Sequence, residues 1–280
     1  MNTFKLYHLQ NGLLIESSAG FHLLPGENWD TFVNDDRLYA KTREVASKTP
    51  AYPQANEVLK KVEITAKSQE IWAAGVTWYR SKVGREEESK TAGGSDFYGR
   101  VYEADRPELF FKSLPHRAAA HGELVRVRKD STWDVPEPEL TLMITSSGKI
   151  VGYTIGNDMS SRSIEGENPL YLPQAKTYDQ SAAIGPCLYI TEALLPPDTR
   201  IELRIERDGH PIFEDAIAIS QIKRSFTELI SWLFRECSFP HGVLLMTGTG
   251  IVPGNDFTLR SGDQIDITIA PIGTLSNRVA

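Results

Sequence analysis

Residues 134–163 read DVPEPELTLMITSSGKIVGYTIGNDMSSRS, two apolar stretches joined by the turn signal SSGK, the pattern of a hairpin. Prolines on either side of Glu137 favour extended backbone, and in the strand that follows Leu140, Leu142 and Ile144 share one face. Glu137 and Glu139 then share the other. Residues two apart on one face stand roughly 6.6 Å apart, so two long carboxylates can converge on one cation and repel each other if nothing lies between them. Asp158 ends the returning strand 19 residues after Glu139, where the hairpin could bring it beside the pair. Three oxygen ligands without Cys or His suit a hard ion, Mg²⁺ or Mn²⁺ before Zn²⁺, with positions left for water or substrate. The same spacing allows a solvated strand edge, with two surface glutamates and Asp158 as an ordinary cap.

Outward from the hairpin the chain is strand-rich. EIWAAGVTWY, LFFKS, GELVRVR, GPCLYI, RIELRIERDG, GVLLMTG and QIDITIAPIG each read as strands bounded by Gly, Pro, Asn or Asp. Two stretches look helical: YRSKVGREEESK, with mixed charges, and SFTELISWLFREC, whose Phe226, Leu229, Ile230 and Leu233 recur at helical spacing. The polar, proline-containing run SKTPAYPQANEVLKK marks a boundary, giving a small N-terminal domain over 1–66 and a larger one over 67–280.

With 280 residues there is room for one large domain or a small one joined to a larger one. The formal charge of −7, from 37 acids against 30 bases without a long basic run, argues against nucleic acid and for a small-molecule partner. The longest apolar runs fall far below the roughly 18 residues needed to cross a bilayer. Cys187 and Cys237 lack CxxC spacing and the start MNTFKLYHLQ lacks an export signal, so the expectation is a reduced, cytoplasmic protein.

The segments EPELTLMI, GYTIGNDMSSR, QAKTYD and IGP, followed by HGVLLMTGTGIVPG and LRSGDQIDITIAPIGTLSNRV, resemble the fumarylacetoacetate hydrolase family in content and order. The resemblance covers about residues 70–280. It implies an α+β, strand-rich fold, a mixed β-sandwich roll preceded by a small α/β domain. It also implies Glu137, Glu139 and Asp158 as ligands of Mg²⁺, with Mn²⁺ or Ca²⁺ as substitutes, a 2-oxo acid substrate, and a homodimer or higher homo-oligomer.

C–C bond hydrolases of this family carry a G-L-N-Y-x-x-H-x-x-E pattern whose His and Glu activate water. Here Ser81 stands where that His belongs and Gly84 where that Glu belongs, so the dyad is missing. Glu86, Glu87 and Glu88 point three ways on a helix and are a weak substitute. The short spacer before Asp158, with EGENPLYLPQAK and YEADRPELFFKS, resembles the branch of 2-keto-3-deoxy sugar-acid dehydratases, of the type acting on 2-keto-3-deoxy-D-arabinonate. Such a reaction needs a base at C3 and proton assistance to the leaving C4 hydroxyl, without an activated water, so the missing dyad is expected. The alternative is hydrolysis or decarboxylation of an acylpyruvate-type 2-oxo acid on the same metal.

The resemblance implies Lys176, in PQAK, as the family's active-site lysine, and Glu108, in RPELFF, is the other acid–base candidate. Arg162 could hold a substrate carboxylate or make a structural ion pair. Thr249, in TGTG, matches a family position that meets the substrate, although Gly250 departs from the usual T-G-T-P. Ser81 could bond a sugar hydroxyl.

Overall fold

The computed structural model describes residues 3–80 and 95–280. In chain order its strands are β1 (Phe4–Leu9), β2 (Gly12–Ser17), β3 (Gly20–Pro25), β4 (Glu70–Gly75), β5 (Glu108–Ser113), β6 (Ala118–Ala119), β7 (Leu124–Val125), β8 (Asp134–Val135) and β9 (Pro138–Ile144). They continue as β10 (Ile150–Asp158), β11 (Ser160–Ser161), β12 (Ala182–Ile190), β13 (Arg200–Arg207), β14 (His210–Ala218), β15 (Val243–Met246), β16 (Gln264–Ile269) and β17 (Gly273–Val279).

Ten of these form one mixed sheet in the order β3-β2-β1-β12-β10-β9-β15-β4-β5, with β6 also on β12, and five form a second sheet, β14-β13-β16-β17-β7. The expected strand-rich α+β fold is what is found. Leu140, Leu142 and Ile144 of β9 pack into a cluster with Ile201, Leu203, Ile205, Ile265, Ile267 and Ile269 of the second sheet. The alternation of apolar and exposed residues along RIELRIER supplies that second sheet's inner face.

On the opposite face of the large sheet, Met143, Leu244 and Met246 join a second cluster with Leu6, Ile15, Trp29, Phe32 and Leu38. Trp29, Phe32 and Leu38 come from the helices Trp29–Val33 and Leu38–Lys48, which cover this face. β9 is therefore buried on both sides and over its whole length. The reading of it as a solvated edge is excluded. Its neighbours are β10, through the local hairpin, and β15, about a hundred residues later, which pairs parallel with β4 on its other edge.

Residues 1–66 supply β1–β3 and the covering helices, and β1 hydrogen-bonds to β12, so the large sheet runs across position 66. They also gather a small apolar cluster of their own around Leu9, Leu14 and Ala55. The helix expected in SFTELISWLFREC spans Phe226–Leu233 and buries Leu229, Ile230 and Leu233. The Ser225 hydroxyl caps it by accepting from the Glu228 N–H. GELVRVR extends only as β7, because the Arg126 N–H turns to the Gln180 carbonyl. The other expected helix lies, from residue 81 onward, outside the described residues.

Candidate active site

The hairpin places the acids. Gly156 pairs with Glu139 and Asn157 with Pro138, and the Asp158 N–H donates to the Glu137 carbonyl at 2.9 Å. Asp158 thus lies directly opposite Glu137, and opposed residues in an antiparallel pair project to the same face. One carboxylate oxygen from each of Glu137, Glu139 and Asp158 lies within 4.8 Å of the other two. The three residues are 5%, 1% and 1% exposed, far from the solvated state that separate surface acids would keep.

Glu139 Oε2 accepts the Gly248 N–H at 2.6 Å. Gly248 has φ of +91°, and a Cβ there would fall 2.0 Å from Thr77 Oγ1, so this close approach requires glycine. Thr77 donates to the Thr247 carbonyl at 2.7 Å and so ties the end of β4 to the same loop.

Lys176 ends the helix Leu172–Lys176 and is 1% exposed. Its Nζ donates to Glu137 Oε2 at 2.7 Å, to Asp158 Oδ2 at 3.0 Å and to the Ser160 hydroxyl. Arg162, 2% exposed, has Nε 3.8 Å from Glu137 Oε1. The triad, Lys176 and Arg162 line one cavity, which Thr249 also faces, but the Thr249 hydroxyl bonds the backbone N–H and carbonyl of Ile251 within its own loop. Glu108 starts β5 opposite Gly75, where a Cβ would come within 2.0 Å of Glu108 Oε2. Its carboxylate therefore lies against the wall that Gly75 contributes to the cavity. The structure brings together six of the residues singled out in the sequence and lays Glu108 against their wall; Ser81 lies outside the described residues.

Two site residues escaped the sequence reading. Lys112 of β5 is fully buried, with Nζ 2.6 Å from Asp158 Oδ1 and donating to the carbonyls of Met159 at 2.9 Å and Lys176 at 2.5 Å. Its signal was a lysine inside an otherwise apolar strand, and in the structure Lys112 falls at the register irregularity between the Phe111–Trp72 and Ser113–Ile71 pairs. Glu165, 1% exposed, sits 3.3 Å from Lys176 Nζ and, through its other oxygen, 3.8 Å from Arg162. Its signal was the spacing of three from Arg162 on one helix.

Burial, then the Asp158 and Glu137 charges, push the Glu139 carboxyl well above the usual carboxylate range. Burial pushes the Lys112 ammonium down, against the opposing pull of Asp158. Four acids (Glu137, Glu139, Asp158, Glu165) face three bases (Lys112, Lys176, Arg162), leaving a formal charge of −1. Asp158 Oδ1 faces Lys112 Nζ at 2.6 Å and Asp158 Oδ2 faces Lys176 Nζ at 3.0 Å, so cations already sit where ligand oxygens converge. An all-oxygen donor set, buried and with surplus negative charge, fits a hard divalent cation.

Asp134 lies three residues before Glu137, and burial pushes its carboxyl up to about 6. A raised folded value means that ionisation costs stability as pH climbs from about 4 to 6, and the loss persists above that window. Asp134→Asn is therefore expected to melt higher than wild type at pH 8, with the difference closing below pH 4. Thermal melts across that range check the sign.

Residues 99–280 match the family described as "Fumarylacetoacetate (FAA) hydrolase C-terminal". A probable 2-keto-3-deoxyxylonate dehydratase of Haloferax volcanii is 52% identical over 213 residues, 76% of this chain and 72% of that protein. The 2-dehydro-3-deoxy-D-arabinonate dehydratase of Saccharolobus solfataricus is 43% identical over 209 residues, 74% of this chain and 70% of that one. A solved 2-keto-3-deoxy-D-arabinonate dehydratase, complexed with magnesium and 2,5-dioxopentanoate, superposes with a TM-score of 0.83 at 34% identity, covering 100% of this chain and 98% of that one. With its family match spanning most of the chain and its acids converged as that resemblance implied, this protein belongs to the fumarylacetoacetate hydrolase family.

Proposed function

We propose that the protein is a hydro-lyase that dehydrates a 2-keto-3-deoxy sugar acid, such as 2-keto-3-deoxy-D-arabinonate, to a dicarbonyl acid, with Mg²⁺ held by Glu137, Glu139 and Asp158. The observation that carries it is the buried carboxylate triad with Lys176 donating to two of its members. The two dehydratases at 52% and 43% identity support the choice of reaction, as does the serine at position 81 in place of a water-activating histidine.

When bound, the cation supplies Lewis-acid polarisation of the substrate's keto oxygen, which acidifies the C3 proton. Arg162 offers a guanidinium at the cavity wall to the substrate carboxylate. Thr249 meets the substrate from the facing loop, and Ser81 bonds a sugar hydroxyl. Lys176 Nζ and the Glu108 carboxylate are the groups that move protons, one taking the C3 proton and the other protonating the departing C4 hydroxyl. The C3–H and C4–O bonds break and water leaves, giving a C3=C4 double bond. Loss of a C5 proton and return of a proton to C3 then move the double bond to C4=C5, and this enol loses its hydroxyl proton and gains one at C4 to become the dicarbonyl acid. The burial of Lys112 and Lys176 keeps bulk water from the acids they hold.

The proposal carries three wider parts: a small N-terminal domain over 1–66 before the catalytic one, a homodimer or higher homo-oligomer, and a cytoplasmic place in sugar-acid catabolism. Among the described residues no helix is long and apolar enough to cross a membrane.

A panel of 2-keto-3-deoxy acids and acylpyruvates, incubated with Mg²⁺ and analysed by mass, tests the reaction. The expected product keeps every carbon and has lost one water. Two smaller carbon fragments, or loss of carbon dioxide, at a comparable rate from an acylpyruvate would replace dehydration with hydrolysis or decarboxylation.

A further inference from the structure

Lys176 is held from two sides. On one side it donates to Glu137 Oε2 at 2.7 Å and Asp158 Oδ2 at 3.0 Å, two members of the triad. On the other it faces Glu165 Oε1 at 3.3 Å, a carboxylate outside the triad. A cation bound to the triad competes with the Lys176 ammonium for the same oxygens and repels it. Glu165 does not enter that competition. Its second oxygen, 3.8 Å from Arg162, reaches the other cation that lines the cavity, while Glu165 itself is not among the lining residues.

Burying a carboxylate is costly unless opposite charge offsets it, and here that charge comes from two side chains that face the substrate space. We propose that Glu165 is a positioning residue that holds Lys176 and Arg162 in place once a divalent cation has drawn off the triad oxygens. This role rests on the dehydratase reading for its effect on turnover, although not for its effect on Lys176 itself. It predicts a dependence that an ordinary structural ion pair would lack: Glu165 should matter more to Lys176 with the cation present than without it.

The test is Glu165→Gln, which keeps the side chain's size and removes its charge. In ¹⁵N-lysine spectra the Lys176 ammonium signal, assigned by its loss in Lys176→Met, should persist in wild type at saturating Mg²⁺. In Glu165→Gln it should be present without Mg²⁺ and vanish or broaden when Mg²⁺ is added. With a 2-keto-3-deoxy sugar acid, kcat should fall about 10- to 100-fold, as for other groups that orient ligands from behind, with the Mg²⁺ affinity held near wild type. Glu165→Asp, which keeps the charge but shortens its reach, should lose less kcat than Glu165→Gln and supplies the same spectral comparison if the glutamine variant does not fold.

A Lys176 signal in Glu165→Gln that is indifferent to Mg²⁺, or perturbed equally with and without it, overturns the proposal. So does a wild-type kcat alongside wild-type product. If the wild-type protein dehydrates none of the sugar acids while the Mg²⁺-dependent spectral change is seen, the reaction assignment fails and the positioning role stands.

Discussion

Lys176→Met is expected to bind Mg²⁺ at least as well as wild type and to lose about 10²- to 10⁴-fold in kcat, the contribution of a well-placed acid–base group. The first half of this expectation follows from the Lys176 hydrogen bonds. The ammonium occupies oxygens of Glu137 and Asp158 that a metal would use, so its removal frees ligand atoms. The same removal leaves two buried carboxylates less compensated in the metal-free protein, which should therefore melt lower. Adding Mg²⁺ should then raise the melting temperature more in the variant than in wild type, because only the native state binds the ion.

The second half is read from kinetics with Glu108→Gln alongside. Whichever variant loses more kcat identifies the group that takes the C3 proton. Turnover in deuterated water should leave solvent deuterium at C3 of the product, since the carbon that gave up a proton regains one on the way to the dicarbonyl acid. Wild-type turnover in Lys176→Met would remove the lysine from the mechanism.

The larger effect on metal is expected from the triad. Glu139→Gln should weaken Mg²⁺ by more than about 100-fold, beyond what loss of an outer partner causes, and EDTA should abolish activity in wild type. Burial and its two acidic neighbours push the Glu139 carboxyl up. The sign follows: a carboxyl pushed up keeps its proton to higher pH, a cation binding there competes with that proton, and affinity falls as pH falls. Calorimetric titration of Mg²⁺ in two buffers of different ionisation enthalpy should show proton release in wild type and less of it in Glu139→Gln. Unchanged Mg²⁺ affinity in that variant would mean that the three acids are not the ligands.

Much of this site was legible because its decisive geometry is local. Glu137 and Glu139 share a face through the two-residue period of a strand, and SSGK closes a hairpin that sets Asp158 opposite Glu137. The same short-range logic found a helix in SFTELISWLFREC from its apolar spacing, and the structure forms it over Phe226–Leu233. Arg162 was reachable because it follows Asp158 closely in the chain, and Lys176 because the family resemblance pointed to it.

Lys112 and Glu165 were not reachable in that way. A lysine inside an apolar strand reads as one that bends its charge out to water. Only the pairing of β5 at the sheet edge, behind β4 and β15, aims it at Asp158 and at two backbone carbonyls. Glu165 reads as a surface residue of a short helix until that helix packs its first turn against Lys176. The sequence by itself determined the hairpin and the shared face of Glu137 and Glu139, because each depends on neighbours a few residues apart or on one turn, and it offered a hard cation as one of two readings of those acids. The burial of β9 on both faces, the insertion of β15 beside it and the cations that answer the acids were decided only by tertiary structure, since strand pairing across about a hundred residues and the Lys112–Asp158 contact across about half that leave no period in the chain to read.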